Sequence, residues 1–334
     1  MGLPEAPTPP KGDMTTEAAI RLEGVVKEFG DFRAVSELDL TVPRGSIYGL
    51  LGPNGSGKTT TIRMIMGILG PDRGQVRLFG DPPVLSSRLR VGYLPEERGL
   101  YKKMKVLEQL VFLARIRGVD REPARRRATE WLERLGLGDR ADARIEDLSK
   151  GMAQKVQFIG TVLHEPDLLI LDEPFSGLDP INQDVLESIV REFHGRGTTI
   201  LFSTHLMEQA ERLCESVCLI SRARKVLDGN LLELKAAERM GVVAVDFRGE
   251  RGWIEGREVR GVEETGTGVR IRLHDDAESR PILERAMRAG VELTRFEVVQ
   301  PRLHEIFVRH AGAGAADPEP RPEETSTHPA PLLG

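Results

Sequence analysis

Residues 52–60 of this chain read GPNGSGKTT and follow the apolar run SIYGLLG at residues 46–52. The stretch fits the pattern G-x-x-x-x-G-K-[ST], and it stands between a strand-like run and a helix-like run, as this pattern requires. Gly52, Gly55 and Gly57 let the backbone wrap closely around a polyphosphate with its amides pointing inward. The sequence therefore predicts a phosphate-binding loop, or P-loop, between a strand and a helix.

The side chains at the end of this loop indicate the chemistry it serves. Lys58 is placed to reach the β and γ phosphates of a nucleotide, and Thr59 is placed to bind Mg²⁺ through its hydroxyl. The alternative is a glycine-rich turn with no ligand, and the strand-loop-helix context argues against it. The residues expected to bind the nucleotide here are Gly52, Pro53, Asn54, Gly55, Ser56, Gly57, Lys58, Thr59 and Thr60.

A second stretch, LLILDEP at residues 168–174, runs from apolar residues into two carboxylates. A P-loop needs a metal-orienting carboxylate at the end of a neighbouring strand, and we expect Asp172 to supply it. Because successive strand residues point to opposite sides, Asp172 and Glu173 are expected to differ in role, one facing the metal and the other the attacking water. The alternative is an acidic turn after a buried strand.

Two further polar positions stand where ligands bind. His205 follows the strand-like run LFST, and open α/β sheets bind ligands at the carboxyl ends of their strands, so we expect a γ-phosphate contact. A structural or solvated histidine is the alternative. LSKG at residues 148–151 opens a helix-like run, and the exposed amides at a helix start attract anions. The chain thus carries a second anion-binding feature besides its P-loop.

The order of the predicted elements defines the organisation of the chain. Short apolar runs alternate with helix-like patterns, which indicates an α/β fold with a parallel sheet covered on both faces. Residues 103–144 break this alternation with two predicted helices, and the last part of the chain mixes strands and helices in a small α+β domain. The expected segments are a disordered tail (1–16), the α/β domain (17–236) with a helical subdomain (about 97–150), the small domain (237–312) and a second disordered tail (313–334).

Composition limits the function classes. A net charge of -5 over 334 residues argues against a nucleic-acid partner, because nucleic-acid binders usually carry a basic excess. No apolar run approaches the roughly 20 residues needed to cross a bilayer, and the start of the chain lacks the apolar core of a secretory signal. We therefore expect a cytoplasmic protein. Cys214 and Cys218 are expected to be buried small apolar residues without a metal or a disulfide.

The motifs GPNGSGKTT, LSKG, LDEPFSGLDP and STH occur in this order, and with them the chain resembles the ATP-binding cassette (ABC) family over about Ile20 to Ala236. The resemblance implies a P-loop ATPase in which two cassettes face each other head to tail. Each MgATP then lies between the P-loop of one cassette and the signature motif of the other. The signature residues that would contact the partner's nucleotide are Leu148, Ser149, Lys150 and Gly151.

The resemblance also implies roles for single residues. Phe29 would stack on adenine, with a core aromatic as the alternative, and Glu173 would be the general base. His205 would contact the γ-phosphate, and Asp179 would communicate across the dimer. With Lys58, Glu173 and His205 form the expected catalytic set, and the cofactors are ATP and Mg²⁺.

Two departures from the family pattern stand out. Glu96 replaces the usual glutamine, and its carboxylate can join Thr59 and Asp172 as a Mg²⁺ ligand. Lys150 stands in LSKGM where Leu-Ser-Gly-Gly-Gln is commoner, and it offers an additional cation to a phosphate. The stretch LPEERGLY around Glu96 is similar to that in cassettes of the sodium and multidrug export type. The C-terminal VVQPRLHEIFVRHAG resembles the end of the accessory domain of those proteins.

The resemblance implies an ATPase subunit that powers export through a separate membrane permease and so lies at the inner face of the cell membrane; the direction of transport is implied by family likeness alone. In the family, the permease docks near the Glu96 loop and the helical insertion, so we expect residues 97–117 to form this surface. We also expect a homodimer or a pair with a similar cassette. The rival class is a cassette ATPase acting on nucleic acid or ribosomes, but those usually carry two cassettes in one chain or a long coiled coil. A nucleotide kinase would have no use for a second signature helix. Sodium, drugs, lipids and peptides remain open as substrates.

Overall fold

The computed structural model describes residues 18–97, 99–238, 241–274 and 277–311. The tails predicted at residues 1–16 and 313–334 lie outside these residues. The strands are β1 (Ala18–Phe29), β2 (Phe32–Pro43), β3 (Ile47–Leu51), β4 (Arg73–Leu78), β5 (Val91–Leu94), β6 (Leu168–Asp172), β7 (Thr199–Thr204), β8 (Ser216–Ser221), β9 (Arg224–Asn230), β10 (Val242–Arg248), β11 (Val259–Glu264), β12 (Gly268–Leu273) and β13 (Glu292–Val299).

Helices connect most of the strands. The α-helices are α1 (Lys58–Ile65), α2 (Leu85–Arg88), α3 (Val106–Arg115), α4 (Arg121–Arg134), α5 (Lys150–Val162), α6 (Pro180–Gly195), α7 (Met207–Leu213), α8 (Leu231–Ala237), α9 (Arg280–Arg288) and α10 (Leu303–Ala311). Short 3-10 turns form at Gly138–Arg140 and Ile145–Asp147.

The central feature is a six-stranded sheet in the order β5-β6-β7-β3-β8-β9. Its strands pair in parallel from β5 to β8, and β9 joins antiparallel at the edge. Every residue of β3 and β6 is buried, as expected where both faces of a parallel sheet are covered. The α/β fold class predicted from the sequence is confirmed.

Each face of this sheet has its own apolar core. On one face, Leu50, Ile170 and Leu201 pack with helix α1 and with a second, antiparallel sheet in the order β2-β1-β4. On the other face, Leu171 and Phe202 pack with helices α3 to α7. The sheet is therefore the middle layer of three, which leaves the carboxyl ends of its strands to form a site.

Helices α3, α4 and α5 occupy the stretch between β5 and β6, where the sequence indicated a helical insertion. Trp131 of α4 stacks on Phe193 of α6, with ring centroids 6.1 Å apart and planes 10° apart. Trp131 also meets Phe158 of α5 edge to face. These rings join the helical part to the core of the α/β part.

The C-terminal part contains a four-stranded antiparallel sheet in the order β11-β12-β10-β13. Its core forms between the sheet and helix α9, with Val245, Ile271 and Ile282 fully buried. Helix α10 lies elsewhere, because Leu303 and Phe307 join the core under α7 and α8. The sequence assigned all of residues 237–312 to the small domain, whereas the last helix packs on the larger one.

The two cysteines are free and buried, one in each of the cores that flank the central sheet. Burial raises the pKa of both thiols well above the usual range, so both stay protonated and unreactive. The prediction that Cys214 and Cys218 act as small apolar residues is confirmed.

Candidate functional site

The P-loop lies between β3 and α1, at the carboxyl edge of the central sheet. Gly57 caps α1 with a φ of 111°, and Gly52 has a φ of 148°. A Cβ at Gly57 would lie 2.4 Å from the carbonyl oxygen of Ala34, and one at Gly52 would lie 2.1 Å from that of Ile220. Glycine is required at both positions for conformation and for space, because neighbouring backbone closes in on the loop.

Lys58 extends from the first residue of α1 back across the loop. Its ammonium donates hydrogen bonds to the carbonyl oxygens of Gly52 at 2.7 Å and Pro53 at 3.1 Å. The side chain is buried in the wall of a cavity of about 330 Å³. A buried cation thus stands beside the loop amides, where the loop would hold phosphate groups.

Asp172 ends β6 opposite the P-loop. Its Oδ2 accepts a hydrogen bond from the Thr59 hydroxyl at 3.2 Å, whereas Oδ1 is buried without a hydrogen-bond partner. Burial raises the pKa of this carboxyl, and the hydrogen bond from the Thr59 hydroxyl partly opposes the rise. An orphaned carboxylate oxygen beside a threonine hydroxyl is the oxygen donor set that Mg²⁺ prefers.

Glu96 follows β5 and lines the same cavity as Asp172 and Lys58. Partial burial raises the pKa of the Glu96 carboxyl, and the nearby carboxylates of Asp172 and Glu173 raise it further. Among the described residues, no group of three or more His, Cys, Asp and Glu side chains forms a site for a metal ion. The oxygens present suit a Mg²⁺ ion that takes its other ligands from phosphates and water.

Glu173 and His205 are hydrogen-bonded to each other. Oε1 of Glu173 accepts from the backbone N–H of His205 at 2.9 Å and lies 2.7 Å from Nδ1 of its ring. Oε2 accepts from the hydroxyl of Thr204 at 3.2 Å. The sequence predicted His205 at this edge of the sheet, and in the structure its ring contacts the carboxylate of Glu173.

The conformation of Glu173 differs from the expectation based on strand alternation. Strand β6 ends at Asp172, and Glu173 has a φ of 48°, which is unusual for a residue with a side chain. Asp172 and Glu173 both line the cavity. The two carboxylates are therefore separated by a left-handed backbone turn and by different partners, not by opposite faces of a strand.

Phe32, an aromatic residue that the sequence did not single out, lines the cavity, whereas Phe29 is not among its lining residues. Phe29, the predicted adenine platform, ends β1 and is half-exposed, with the ammonium of Lys27 5.5 Å from its ring centroid. Phe32 begins β2, is equally exposed, and forms the cavity wall with Ala34 and Asn54. The spacing of two aromatic residues in EFGDF was the available signal for Phe32.

The signature motif lies outside this cavity. Ser149 caps helix α5, and its Oγ accepts a hydrogen bond from the Met152 N–H at 3.3 Å. Ser149 and Lys150 are exposed, and none of the four residues of LSKG lines the cavity. Asp179 likewise caps α6, and its bonds with Asn182 hold the pKa of its carboxyl below the usual range. The structure thus assembles the P-loop, Glu96, Asp172, Glu173 and His205, and leaves LSKG and Asp179 apart.

A P-loop after β3, a buried lysine and a pair of carboxylates at the end of β6 define a P-loop ATPase. The sequence predicted these carboxylates on a neighbouring strand, whereas β7 lies between β3 and β6 in the sheet. Residues 35–176 match the family model described as ABC transporter, and residues 229–311 match that of the "ATP-binding protein DrrA1-3-like, C-terminal domain". This chain belongs to the ATP-binding proteins of ABC transporters.

Relatives match the chain over most of its length. An uncharacterized ABC transporter ATP-binding protein of Bacillus subtilis, YhaQ, is 42% identical over 295 residues, which span 88% of this chain and 99% of that protein. The daunorubicin/doxorubicin resistance ATP-binding protein DrrA of Streptomyces peucetius is 33% identical over 314 residues, which span 90% of this chain and 94% of DrrA. A solved structure of an ATP-binding subunit of an ABC transporter aligns with a TM-score of 0.62 and 31% identity, covering 66% of this chain and 92% of that one.

Across residues 18–97, 99–238, 241–274 and 277–311, no helix has the length and apolar character needed to span a membrane.

Proposed function

We propose that this chain is the ATP-hydrolysing subunit of an exporter and that two cassettes bind two MgATP head to tail. The observation that carries this proposal is the placement of LSKG. Its helix start is exposed and takes no part in the cavity of its own chain. The Ser149 hydroxyl and the Gly151 amide are therefore free to meet a phosphate held by a second cassette, where the positive end of helix α5 supports the contact.

The P-loop cavity is the site proposed for ATP and Mg²⁺. Lys58 would exchange its two carbonyl partners for β and γ phosphate oxygens, and the loop residues that line the cavity, from Asn54 to Thr60, would offer backbone amides to the phosphates. Thr59, Asp172 and Glu96 would hold the Mg²⁺ ion, which would supply positive charge beside the phosphates. The unpartnered Oδ1 of Asp172 supports this assignment. Phe29, with Phe32 beside it, offers a ring face for the adenine.

Hydrolysis is assigned to Glu173 as general base, with His205 as the partner that controls it. With its carboxylate hydrogen-bonded to the His205 ring and backbone, Glu173 is held at the edge of the cavity. When the His205 ring turns to the γ-phosphate, the carboxylate loses one donor and becomes available to take a proton from water. Asp179, at the start of α6, is assigned to communication across the dimer.

The permease is proposed to dock on residues 97–117. Tyr101, Phe112 and Ile116 are large apolar side chains exposed on this segment, and the rings of Tyr101 and Phe112 meet edge to face. A groove of about 590 Å³ is lined by Phe112, Ile116 and other apolar residues together with charged side chains of both signs. Aromatic and arginine side chains are enriched at protein interfaces. The permease would hold the chain at the inner face of the membrane.

The direction of transport is proposed from the relatives. The name of DrrA assigns it to resistance against daunorubicin and doxorubicin. We therefore infer an exporter, with substrate choice left to the permease and sodium, drugs, lipids and peptides all open.

Purification from the native host tests this function. The tagged chain is recovered from gently solubilised membranes with and without ATP, and the proteins that co-purify in an ATP-sensitive manner are identified. A partner with several apolar spans supports the exporter. Recovery only with ribosomes or DNA would move the chain to the rival class of cassette ATPases.

A further inference from the structure

Helix α5, which begins at the signature motif, carries a stripe of buried polar side chains. Gln154, Gln157 and Thr161 are 4%, 6% and 6% exposed. Their spacing of three and four residues places them on one face of the helix, among apolar neighbours. Buried polar groups are hydrogen-bonded as a rule, so their partners show what this face is for.

The two glutamines contact the backbone that leads into or out of Glu96 and Glu173. The amide nitrogen of Gln157 donates to the carbonyl oxygens of Pro95 at 3.0 Å and Glu97 at 3.3 Å, one on each side of Glu96. The amide nitrogen of Gln154 donates to the carbonyl oxygen of Pro174 at 3.0 Å, one residue beyond Glu173. The Thr161 hydroxyl donates instead to the carbonyl oxygen of Gln157 within the helix at 2.9 Å, and it lies 3.4 Å from the carbonyl oxygen of Tyr93.

We propose that Gln157 is a positioning residue for Glu96. The inference rests on the proposed MgATP site. An amide nitrogen has two hydrogens, and Gln157 places one on each carbonyl that flanks Glu96. The backbone is thereby held on each side of Glu96, at the peptide group that joins Pro95 to Glu96 and at the carbonyl of Glu97, so that Glu96 lines the cavity with Lys58 and Asp172.

The same contact joins two functional segments within one chain. Helix α5 presents LSKG at its first turn, and two turns later Gln157 holds the loop that carries Glu96. Glu97, whose carbonyl Gln157 binds, is also the first residue of the segment proposed to meet the permease. A shift of that segment therefore reaches Glu96 and the signature helix through one side chain.

The Mg²⁺-dependent part of nucleotide affinity tests the assignment without hydrolysis. A fluorescent ATP analogue is titrated into the full chain in Mg²⁺ and in EDTA, and the ratio of the two affinities is the readout. Gln157→Met, which keeps the side-chain length and loses both donors, is expected to lower this ratio by about tenfold, as loss of an outer-shell partner of a metal ligand does. The affinity in EDTA should stay at the wild-type value.

Thr161→Val is the matched control. It removes a polar group from the same face of α5 but leaves the carbonyls around Glu96 bonded, so its ratio should equal that of the wild type. Gln157→Asn keeps the amide on a shorter side chain and should give an intermediate ratio. This milder variant also serves if Gln157→Met does not fold.

A double variant separates positioning from general damage. In a Glu96→Ala background, Gln157→Met should lower the ratio no further, because the carboxylate that it directs is gone. A wild-type ratio in Gln157→Met, an equal loss in Thr161→Val, or a further full loss in the double variant would each overturn the proposal. A wild-type chain that binds the analogue in a Mg²⁺-dependent manner but hydrolyses no ATP would instead count against the proposed function alone.

Discussion

Glu173 and His205 are bound to each other at two points, the backbone N–H of His205 to Oε1 at 2.9 Å and its ring Nδ1 to the same oxygen at 2.7 Å. Thr204 supplies a donor to Oε2. The carboxylate of Glu173 therefore has three donors around it, two of them from His205. We propose that release of the His205 ring to a bound nucleotide frees Oε1 of Glu173 to approach the attacking water.

Glu173→Gln should stop hydrolysis and leave MgATP binding intact. Loss of the general base lowers kcat by at least about 100-fold, so a closed dimer accumulates. Light scattering on a sizing column in MgATP measures the molar mass and so the fraction of dimer. A second change, Lys58→Ala, should return the protein to monomers by removing the cation that faces the phosphates. A Glu173→Gln protein that stays monomeric in MgATP would contradict the head-to-tail dimer.

Gly57→Ala should abolish nucleotide binding and destabilise the fold. The new Cβ would meet the Ala34 carbonyl oxygen at 2.4 Å, and backbone cannot move aside as the end of a side chain can. Gly24→Ala is the control, because Gly24 has a φ of 54° but nothing within 4 Å of its Cβ. It should cost only the left-handed strain of about 1 kcal/mol. Urea unfolding and nucleotide titration of both variants give the comparison.

Asp172→Asn should stabilise the nucleotide-free protein at neutral pH. The folded pKa of Asp172 is raised, mainly by burial, so its contribution to stability is present at acid pH and is lost as the pH rises through that pKa. Asparagine removes the buried charge and should raise Tm by about 2 °C or more at pH 8. The gain should shrink toward pH 4.

Thermal unfolding across this pH range measures the difference, with Asp31→Asn at an exposed position as the control. A lower Tm for Asp172→Asn at pH 8 would show that hydrogen bonding to the Asp172 carboxylate, as from the Thr59 hydroxyl, stabilises the folded protein by more than burial of the charge destabilises it. The same variant should bind ATP without the benefit of Mg²⁺.

Phe112→Ala and Ile116→Ala should weaken the permease complex. Each side chain is partly exposed on α3 or just after it and would become buried in the interface. Truncation of such an anchor typically costs about 1–2 kcal/mol, or about tenfold in affinity. Ile68→Ala, an exposed position outside the groove, should leave the complex intact. If both α3 variants retain the permease and coupled transport, residues 97–117 are not the docking surface.

The sequence predicted the parts of the fold in which short motifs and continuous apolar runs coincide. The P-loop, strand β6 and the helices of the insertion were predicted because each of their sequence patterns is typical of one kind of element. Strand β1 and its antiparallel sheet were missed, since AAIRLEGVVKEF has an interrupted alternation. The structure shows register shifts between Leu22 and Val25 and between Val25 and Lys27. A bulge moves side chains from one face to the other, so period alone does not identify such a strand.

The sequence indicated which residues lie at the candidate site, but not the hydrogen bonds between them. Asp172, Glu173 and His205 follow from their places at strand ends, whereas the bond between Glu173 and His205 depends on a positive φ that no sequence period reveals. Gln157 lay inside a helix that reads as apolar, and its partners are backbone carbonyls 60 or more residues away. Long-range bonds to backbone leave no mark on the pattern of residue types.

Helix α10 changes what the C-terminal part of this protein can do. Leu303 donates its backbone N–H to Glu211 of α7, Arg302 lies 3.5 Å from Glu208, and Phe307 enters the core of the larger domain. The small sheet is thus inserted into the larger domain, since the chain leaves that domain after α8 and returns to it at α10. Because the sheet domain is connected to the larger domain on both sides, we expect it to tilt but not to separate. A tilt would be transmitted through α10 to α7, the helix that follows His205. Cutting the chain before α10 would unroof an apolar surface, so the shortened protein would be a damaged cassette and not a minimal one.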